Sequence, residues 1–408
     1  MYVIFCGGLF NLSLNSARFF GYPYWPFDDV MSDRTIYKWC EHTIAFQTII
    51  SNMTINLEKL LNIKTITKET YDWLKPLHEK EIADLEEIQR AALERKNNPF
   101  YQHDDDDSED EEDGLLTTST STIRGIEGTD FSIQFVTDTN STGHGNKVWH
   151  ASIATCRYLK DRFTVPKRED PTQPFRCLEL GAGTALPSLF LAKLLSSGLK
   201  QSSQTSVLRV TDAKYYRNIM QILRSVDIHD STGVSENGSI QIEVHPHNWG
   251  TPIEFGRLQE NEDSVVSGFS PHDLVIVSDC IYNPEYHDDL LVSLSSTLAL
   301  PTSTTTSDPT TNGGVAVVSF SLHGNVRNEV IWEFLESKLP SQRMSDGKRN
   351  WHLRAQCVST NVEVESESST RQGWDMETTM NDLGMETEGI NPERWIAYVY
   401  EITWVPTE

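Results

Sequence analysis

A chain of 408 residues, 38% hydrophobic and 23% charged, is long enough to bury a large core and ordinary enough in composition to be expected as a soluble globular protein. Its formal net charge of −25 opposes phosphate backbones, whose binding relies on lysine and arginine displacing counterions, so nucleic acid is set aside as a partner. No window reaches the roughly 18 apolar residues of a membrane span, the apolar N-terminus lacks the leading positive charge of an export signal, and six scattered cysteines without a CxxC pair read as reduced thiols, so no membrane partner and a cytoplasmic or nuclear location are expected.

In chain order, residues 1 to 60 show no clear periodicity. From Lys68 to Lys96 the stretch KETYDWLKPLHEKEIADLEEIQRAALERK sets Ile82, Leu85, Ile88 and Leu93 at helical spacing, which predicts a helix packed on the body of the protein. The run Asp104–Asp113 (DDDDSEDEED) cannot bury itself, so residues 101–125 are read as an acidic disordered linker between a partly helical extension, 1–100, and a domain spanning 126–408. FSIQFV (131–136) alternates like a strand, STGHGN (141–146) is a glycine-broken loop, and VWHASIATCRYL (148–159) has helical spacing. FRCLEL (175–180), SVLRVTD (206–212), SIQIEVHPH (239–247), DLVIVSD (273–279) and VAVVSFS (315–321) then read as strands. Helices are predicted at PSLFLAKLL (187–195), YYRNIMQIL (215–223), HDDLLVSLSSTL and RNEVIWEFLESKL. This alternation predicts an α/β fold: a doubly wound, mainly parallel sheet covered on both faces. RWIAYVYEITW (394–404) reads as an antiparallel partner of that sheet, and the low-complexity stretches 301–314 and 358–392 read as loops.

The first strand of the series runs into a turn, Glu179-Leu180-Gly181-Ala182-Gly183, and Pro187 then suits the first position of a helix. Ligands of open α/β sheets sit beyond such strand ends, and glycines let them approach the backbone. Leu186 stands where a dinucleotide fingerprint has its third glycine, which weakens a nicotinamide or flavin reading. Asp212 closes the second strand, where a carboxylate can grip the two hydroxyls of a ribose. An adenosine ligand with a short anionic tail fits this combination, and S-adenosylmethionine has that shape. Gly181, Ala182, Gly183 and Asp212, with Glu179, are the candidate cofactor-binding residues.

The fourth strand ends in Ser278-Asp279-Cys280-Ile281-Tyr282-Asn283-Pro284. Asp279 and Tyr282 suit an amine acceptor, because carboxylate and ring attract an ammonium while a closed apolar pocket lowers its pKa. The alternative is that Asp279 merely caps the following helix. Trp149 and Trp249 follow loops and read either as core filling or as part of the site. His245 and His247 form an HxH pair without a third ligand, so they are read as ordinary polar residues and no metal is expected.

Taken in order, VWHASIATCRYL, LELGAGTALPSLFLA, VTDAKYY, NWG and DLVIVSDCIY make residues 130 to 404 similar to the seven-strand, class I S-adenosylmethionine methyltransferases, specifically family 16, which includes many protein-lysine methyltransferases. The resemblance implies a Rossmann-like seven-stranded domain over 126–408, with Trp149 on the cofactor and Gly181, Ala182 and Gly183 on its methionyl portion. It further implies Asp212 on the ribose, Trp249 by the adenine, Ser278 lining the cleft, and Asp279 and Tyr282 receiving the acceptor as the catalytic pair. Ala185 departs from the family's frequent third glycine, Ala213-Lys214 replaces the more usual tyrosine–proline, and the N-terminal region has no counterpart. The expected reaction is an in-line attack of an acceptor nitrogen on the sulfonium methyl group, with the lysine or N-terminal amine of an intracellular, basic protein as substrate and the enzyme a monomer. A small free amine, or a non-catalytic interaction protein that kept the fold, are the alternatives.

Overall fold

The computed structural model describes residues 2–5, 8–11, 55–97, 118–138, 147–166, 173–198, 205–230, 240–251, 271–301, 313–322, 328–347, 349–358, 362–365, 370–375 and 396–407. The chain divides into two units, 1–51 and 52–408, and in the first β1 (Tyr2–Phe5) pairs antiparallel with β2 (Gly8–Asn11). The second unit opens with helices α1 (Leu57–Asn62) and α2 (Lys68–Asn97), followed by the antiparallel hairpin of β3 (Thr118–Arg124) and β4 (Ser132–Asp138). Then come α3 (His150–Asp161), β5 (Phe175–Leu180), α4 (Leu186–Ser196), β6 (Ser206–Asp212), α5 (Tyr216–Asp230) and β7 (Ile240–Pro246). The series continues with β8 (Leu274–Ser278), α6 (His287–Thr297), β9 (Val315–Ser321) and α7 (Asn328–Glu333), whose helical path runs on to Ser341. It ends with β10 (Arg343–Ser345), β11 (Asn350–Cys357), β12 (Val362–Glu365), β13 (Thr370–Asp375) and β14 (Ile396–Pro406).

One sheet runs in the order β10-β11-β14-β9-β8-β5-β6-β7, with β12 and β13 attached beside β14. From β9 to β7 every pairing is parallel, while β14, β11 and β10 are antiparallel. The parallel strands are buried almost without a break, which is why they read as Val/Ile/Leu runs. After β5 the chain moves outward through β6 and β7, then returns to lay β8 on the other side of β5. That reversal opens a crevice beyond the carboxyl ends of β5 and β8.

Two expectations are corrected. Within the stretch read as linker, residues 118–124 form β3, because TSTSTIR alternates β-branched residues and finds a partner in the predicted strand 131–136, which joins this hairpin rather than the main sheet. Within 358–392, β12 and β13 form a hairpin attached to β14, since VEVE has the period of a strand whatever its composition. Strand β11 adds to the expected sheet: NWHLRAQC alternates polar and apolar residues as a half-buried strand does, burying Trp351 and Leu353, and it pairs along β14 over seven residues. The acidic run, the STGHGN loop and most of 301–314 lie outside the described residues.

Helix α2 packs on the body as expected, but with a different face. Ile88 is exposed and Ile82 only half-buried, whereas Tyr71, Leu74, His78 and Leu85 are buried, at spacings of three, four and seven. The periodicity misled because the buried stripe carries polar groups. Glu81 Oε2 accepts from the Tyr216 hydroxyl at 2.6 Å and from Arg224 at 3.0 Å, and His78 Nδ1 lies 3.0 Å from the same hydroxyl. Burial pushes the Glu81 carboxyl up, but its His78 hydrogen bond and the Arg224 charge outweigh that and hold it below its ordinary value. Ile55, Leu60, Ile66 and Leu74 join Ile219, Leu223 and Val226 in one apolar core, and Thr65 O accepts from Val244 N at 2.7 Å, covering part of the open edge of β7.

Truncating Glu81 to Ala strips the carboxylate from an Arg224 side chain only 6% exposed. Denaturant unfolding is expected to show a loss of about 3–5 kcal/mol. A loss under about 1 kcal/mol, the worth of a surface pair, would contradict the buried cluster.

Candidate active site

Beyond β5, Gly181 (φ 67°) and Gly183 (φ 54°) turn left-handed, which only glycine does without cost. A Cβ on Gly181 would stand 2.7 Å from Cys280 Sγ and 2.9 Å from the Trp249 ring, so the position also demands the absence of a side chain. Ala185, where a third glycine is frequent in the resembling family, adopts the same conformation (φ 59°) before α4, at a cost of about 1–2 kcal/mol. The turn is pinned to the neighbouring strand: Ala182 N donates to Thr211 O at 2.9 Å and the Thr211 hydroxyl donates to Glu179 O at 2.6 Å.

Asp212 ends β6 at the rim of the same crevice. Its Oδ2 accepts from Gly183 N at 2.8 Å, and its Oδ1 from Ala213 N at 2.8 Å and Asn218 Nδ2 at 2.7 Å. Burial nonetheless raises its pKa above the ordinary value, against the pull of those donors. Asn218 escaped the sequence reading, although an Asn in the first turn of the helix after a strand-terminal acid was the available signal.

Strand β8 delivers the opposite wall. Asp279 is a left-handed non-glycine residue (φ 58°), its N–H donating to Ser319 O at 2.7 Å and its Oδ1 accepting from Ser321 N at 3.4 Å. It does not cap the next helix, because Asn283 does so, accepting from Glu285 N at 3.1 Å. Tyr282 is half-buried, and burial first, then the charges of Cys280, Asp212 and Asp279, push its hydroxyl up to about 12. Below the wall, Ser278 reaches the Ser152 hydroxyl at 3.4 Å and that of Ser319 at 3.2 Å, tying α3 to β8 and β9.

These groups enclose a cavity of about 680 Å³ lined by Trp149, Gly181, Ala182, Gly183, Asp212, Trp249, Ser278, Asp279 and Tyr282 together. Both tryptophans thus face the cavity. Lys147 Nζ lies 4.2 Å over the Trp149 ring, and Trp249 packs edge-on to Tyr286 at 6.3 Å. Glu179 is not among the lining residues; it lies behind the turn, 1% exposed, where Oε2 accepts from Ser188 N at 3.2 Å in the first turn of α4. His245 turns to Glu243 and His247 to Ser293, and no group of three or more His, Cys, Asp or Glu able to hold a metal ion occurs among the described residues.

Burial pushes Glu179 from 4.5 to about 8, so between those values the folded chain holds a proton that the unfolded chain has released. Stability contributed by this group therefore falls as pH rises across that window. Glu179→Gln removes the dependence while keeping the shape. The melting temperature of the variant, relative to the unsubstituted protein, is expected to climb from pH 5 to about pH 8 and then level off, and parallel profiles would refute a protonated Glu179.

Residues 129–306 match the sequence family described as lysine methyltransferase, methyltransferase family 16. Among similar proteins, the "Protein N-terminal and lysine N-methyltransferase EFM7" of Candida glabrata is 30% identical over 209 residues, covering 51% of this chain and 66% of that protein. A protein of the same description from Cryptococcus neoformans var. neoformans is 28% identical over 167 residues, covering 40% of this chain and 46% of that protein. The chain thus spans just under two thirds of the first relative and less than half of the second. Residues 129–306 are thus similar to methyltransferase family 16, the family described as lysine methyltransferase, and the relatives share that description in their names.

Proposed function

We propose that this protein is an S-adenosylmethionine-dependent N-methyltransferase acting on a lysine side chain or N-terminal amine of a protein. The observation that carries the reading is that one cavity brings the Gly181–Gly183 turn and Asp212 face to face with Asp279 and Tyr282. Its volume of about 680 Å³ falls in the ~300–1,000 Å³ range of small-molecule sites. Asp212 spends both acceptor positions of Oδ1 on Ala213 and Asn218 but only one of Oδ2 on the Gly183 amide, which leaves one for a sugar hydroxyl. The side-chain-free backbone at Gly181 and Gly183 and the indole of Trp249 complete a set suited to an aminoacyl tail and a purine.

When bound, S-adenosylmethionine supplies a methyl group on a positively charged sulfur, and the attacking amine lone pair forms the N–C bond as the C–S bond breaks. Asp279 and the ring of Tyr282 draw in the acceptor ammonium, and the apolar parts of the cavity wall favour its neutral form, with the released proton passing to water. Catalysis then rests on alignment, which can supply several kcal/mol without a covalent enzyme intermediate. Two observations support a basic protein segment as substrate: the net charge of −25, and the exposed Tyr215 (69%) and Tyr286 (49%) at the mouth, where Asp289 also lies.

Asp212→Ala is expected to abolish binding of S-adenosylmethionine in calorimetry, whereas Asp279→Ala keeps the affinity and lowers turnover about a hundredfold. Equal affinity in the wild type and Asp212→Ala sinks the ribose assignment. Tritiated cofactor incubated with cell lysate is expected to label protein bands; label appearing only on added small amines such as nicotinamide favours the small-amine alternative.

A further inference from the structure

Resting on the cofactor reading above, we infer that the N-terminal helix α2, which lies outside residues 129–306, holds the cofactor side of the cavity in place, with Trp73 and Glu81 as positioning residues. Two chains of contact connect them to it. The first begins at Glu81, which accepts from the Tyr216 hydroxyl at 2.6 Å and from Arg224 at 3.0 Å, so both residues anchor α5 to α2. Two positions after Tyr216, on the same first turn of α5, Asn218 donates to Asp212 Oδ1 at 2.7 Å, and the other oxygen of that carboxylate accepts from Gly183 N. Three polar contacts therefore lead from the N-terminal helix to the glycine turn, and the Arg224 pair anchors α5 beside them.

The second chain runs through the rim. The Lys214 ammonium lies 5.4 Å over the Trp73 ring, while Lys214 itself lines the cavity and its N–H donates to Asn248 Oδ1 at 3.0 Å. His247 N donates to Asp212 O at 2.7 Å. The segments 212–214 and 247–249, which carry Asp212 and Trp249, are thus stitched to each other, and α2 presses on the stitch from outside. Trp73 is partly buried and touches the apolar core, so it is a fixed support and not a loose surface ring. Burial and the Glu81 hydrogen bond both push the Tyr216 pKa up, which keeps its hydroxyl a donor.

A helix that only added stability would change the melting temperature and leave the affinity of the folded protein alone. Calorimetric titration of S-adenosylmethionine into the full chain, well below its melting temperature, separates the two. Trp73→Ala is expected to weaken binding about tenfold, Glu81→Ala by at least as much, and Glu81→Gln, which keeps an acceptor for Tyr216, by less than Glu81→Ala. Should Glu81→Ala fail to fold, the partly exposed Trp73 and the conservative Gln variant still decide the matter. Lys59→Ala is the control, since it breaks an exposed pair with Asp227 at the far end of the same extension and is expected to leave the affinity within twofold. Wild-type affinity in folded Trp73→Ala and Glu81→Gln overturns the inference, as does an equal loss in Lys59→Ala. No binding by the wild type, or unchanged binding in Asp212→Ala, instead removes the cofactor reading on which it stands.

Discussion

A carboxylate buried at the end of the second parallel strand holds this site together. Asp212 is 7% exposed and pays a desolvation penalty that raises its pKa, yet three donors meet it: the amides of Gly183 and Ala213 and the side chain of Asn218. Each donor belongs to a different piece of chain, so the acid joins the glycine turn, the segment after β6 and the first turn of α5 into one body. The left-handed backbone at Gly181 and Gly183 is what aims the turn at this acid, and the packing of Cys280 and Trp249 around Gly181 leaves no room for a side chain there. Where this joint sits follows from topology, because the reversal of strand order between β5 and β8 is the one place in a parallel sheet where neighbouring loops part.

The two walls of the cavity are held by different means. On the β8 side, Asp279 is fixed by the sheet itself: its N–H and side chain pair with Ser319 and Ser321 of β9, and its left-handed backbone stores strain that the ladder overcomes. On the β6 side, the segment after Asp212 leaves the ladder of β6 and β7. Its support comes from Asn248, from α5 and, through α5, from a helix near the N-terminus. The edge of the sheet needs that same extension, since Thr65 satisfies the Val244 amide on the outer side of β7.

The parallel core was readable because strands buried on both faces must be apolar throughout and glycine punctuates their ends. β5 through β9 therefore stand where the Val/Ile/Leu runs placed them, and nine of the ten candidate residues line one cavity. Part of what escaped shares a cause: patterns in which polar residues are buried or β-branched residues sit in low-complexity sequence. Hydropathy placed the inner stripe of α2 on Ile82, Leu85, Ile88 and Leu93, of which Leu85 is buried and Ile88 exposed, whereas His78 and Glu81 meet at the Tyr216 hydroxyl. TSTSTIR reads as linker by composition, yet its β-branched alternation pairs with β4. Glu179 shares the glycine turn with the lining residues, but strand alternation sends its side chain to the helix behind.

Glu179 also shows that a side chain next in sequence to a glycine turn need not line the cavity that the turn faces. A strand that ends in a glycine turn must satisfy the first amides of the helix that follows, and the pocket face cannot do so without giving up space for the ligand. Glu179 accepts from Ser188 N on the far face, leaving the pocket face of the turn to backbone and to Asp212. Burial raises the pKa of both acids, and Asp212 adds to the rise at Glu179, so the site favours a single negative charge near the turn. The acid with three donors is the one placed to carry that charge. A lone negative charge at Asp212 suits a ligand that brings its own positive centre, which ties the electrostatics of the turn to the sulfonium chemistry proposed for the cavity.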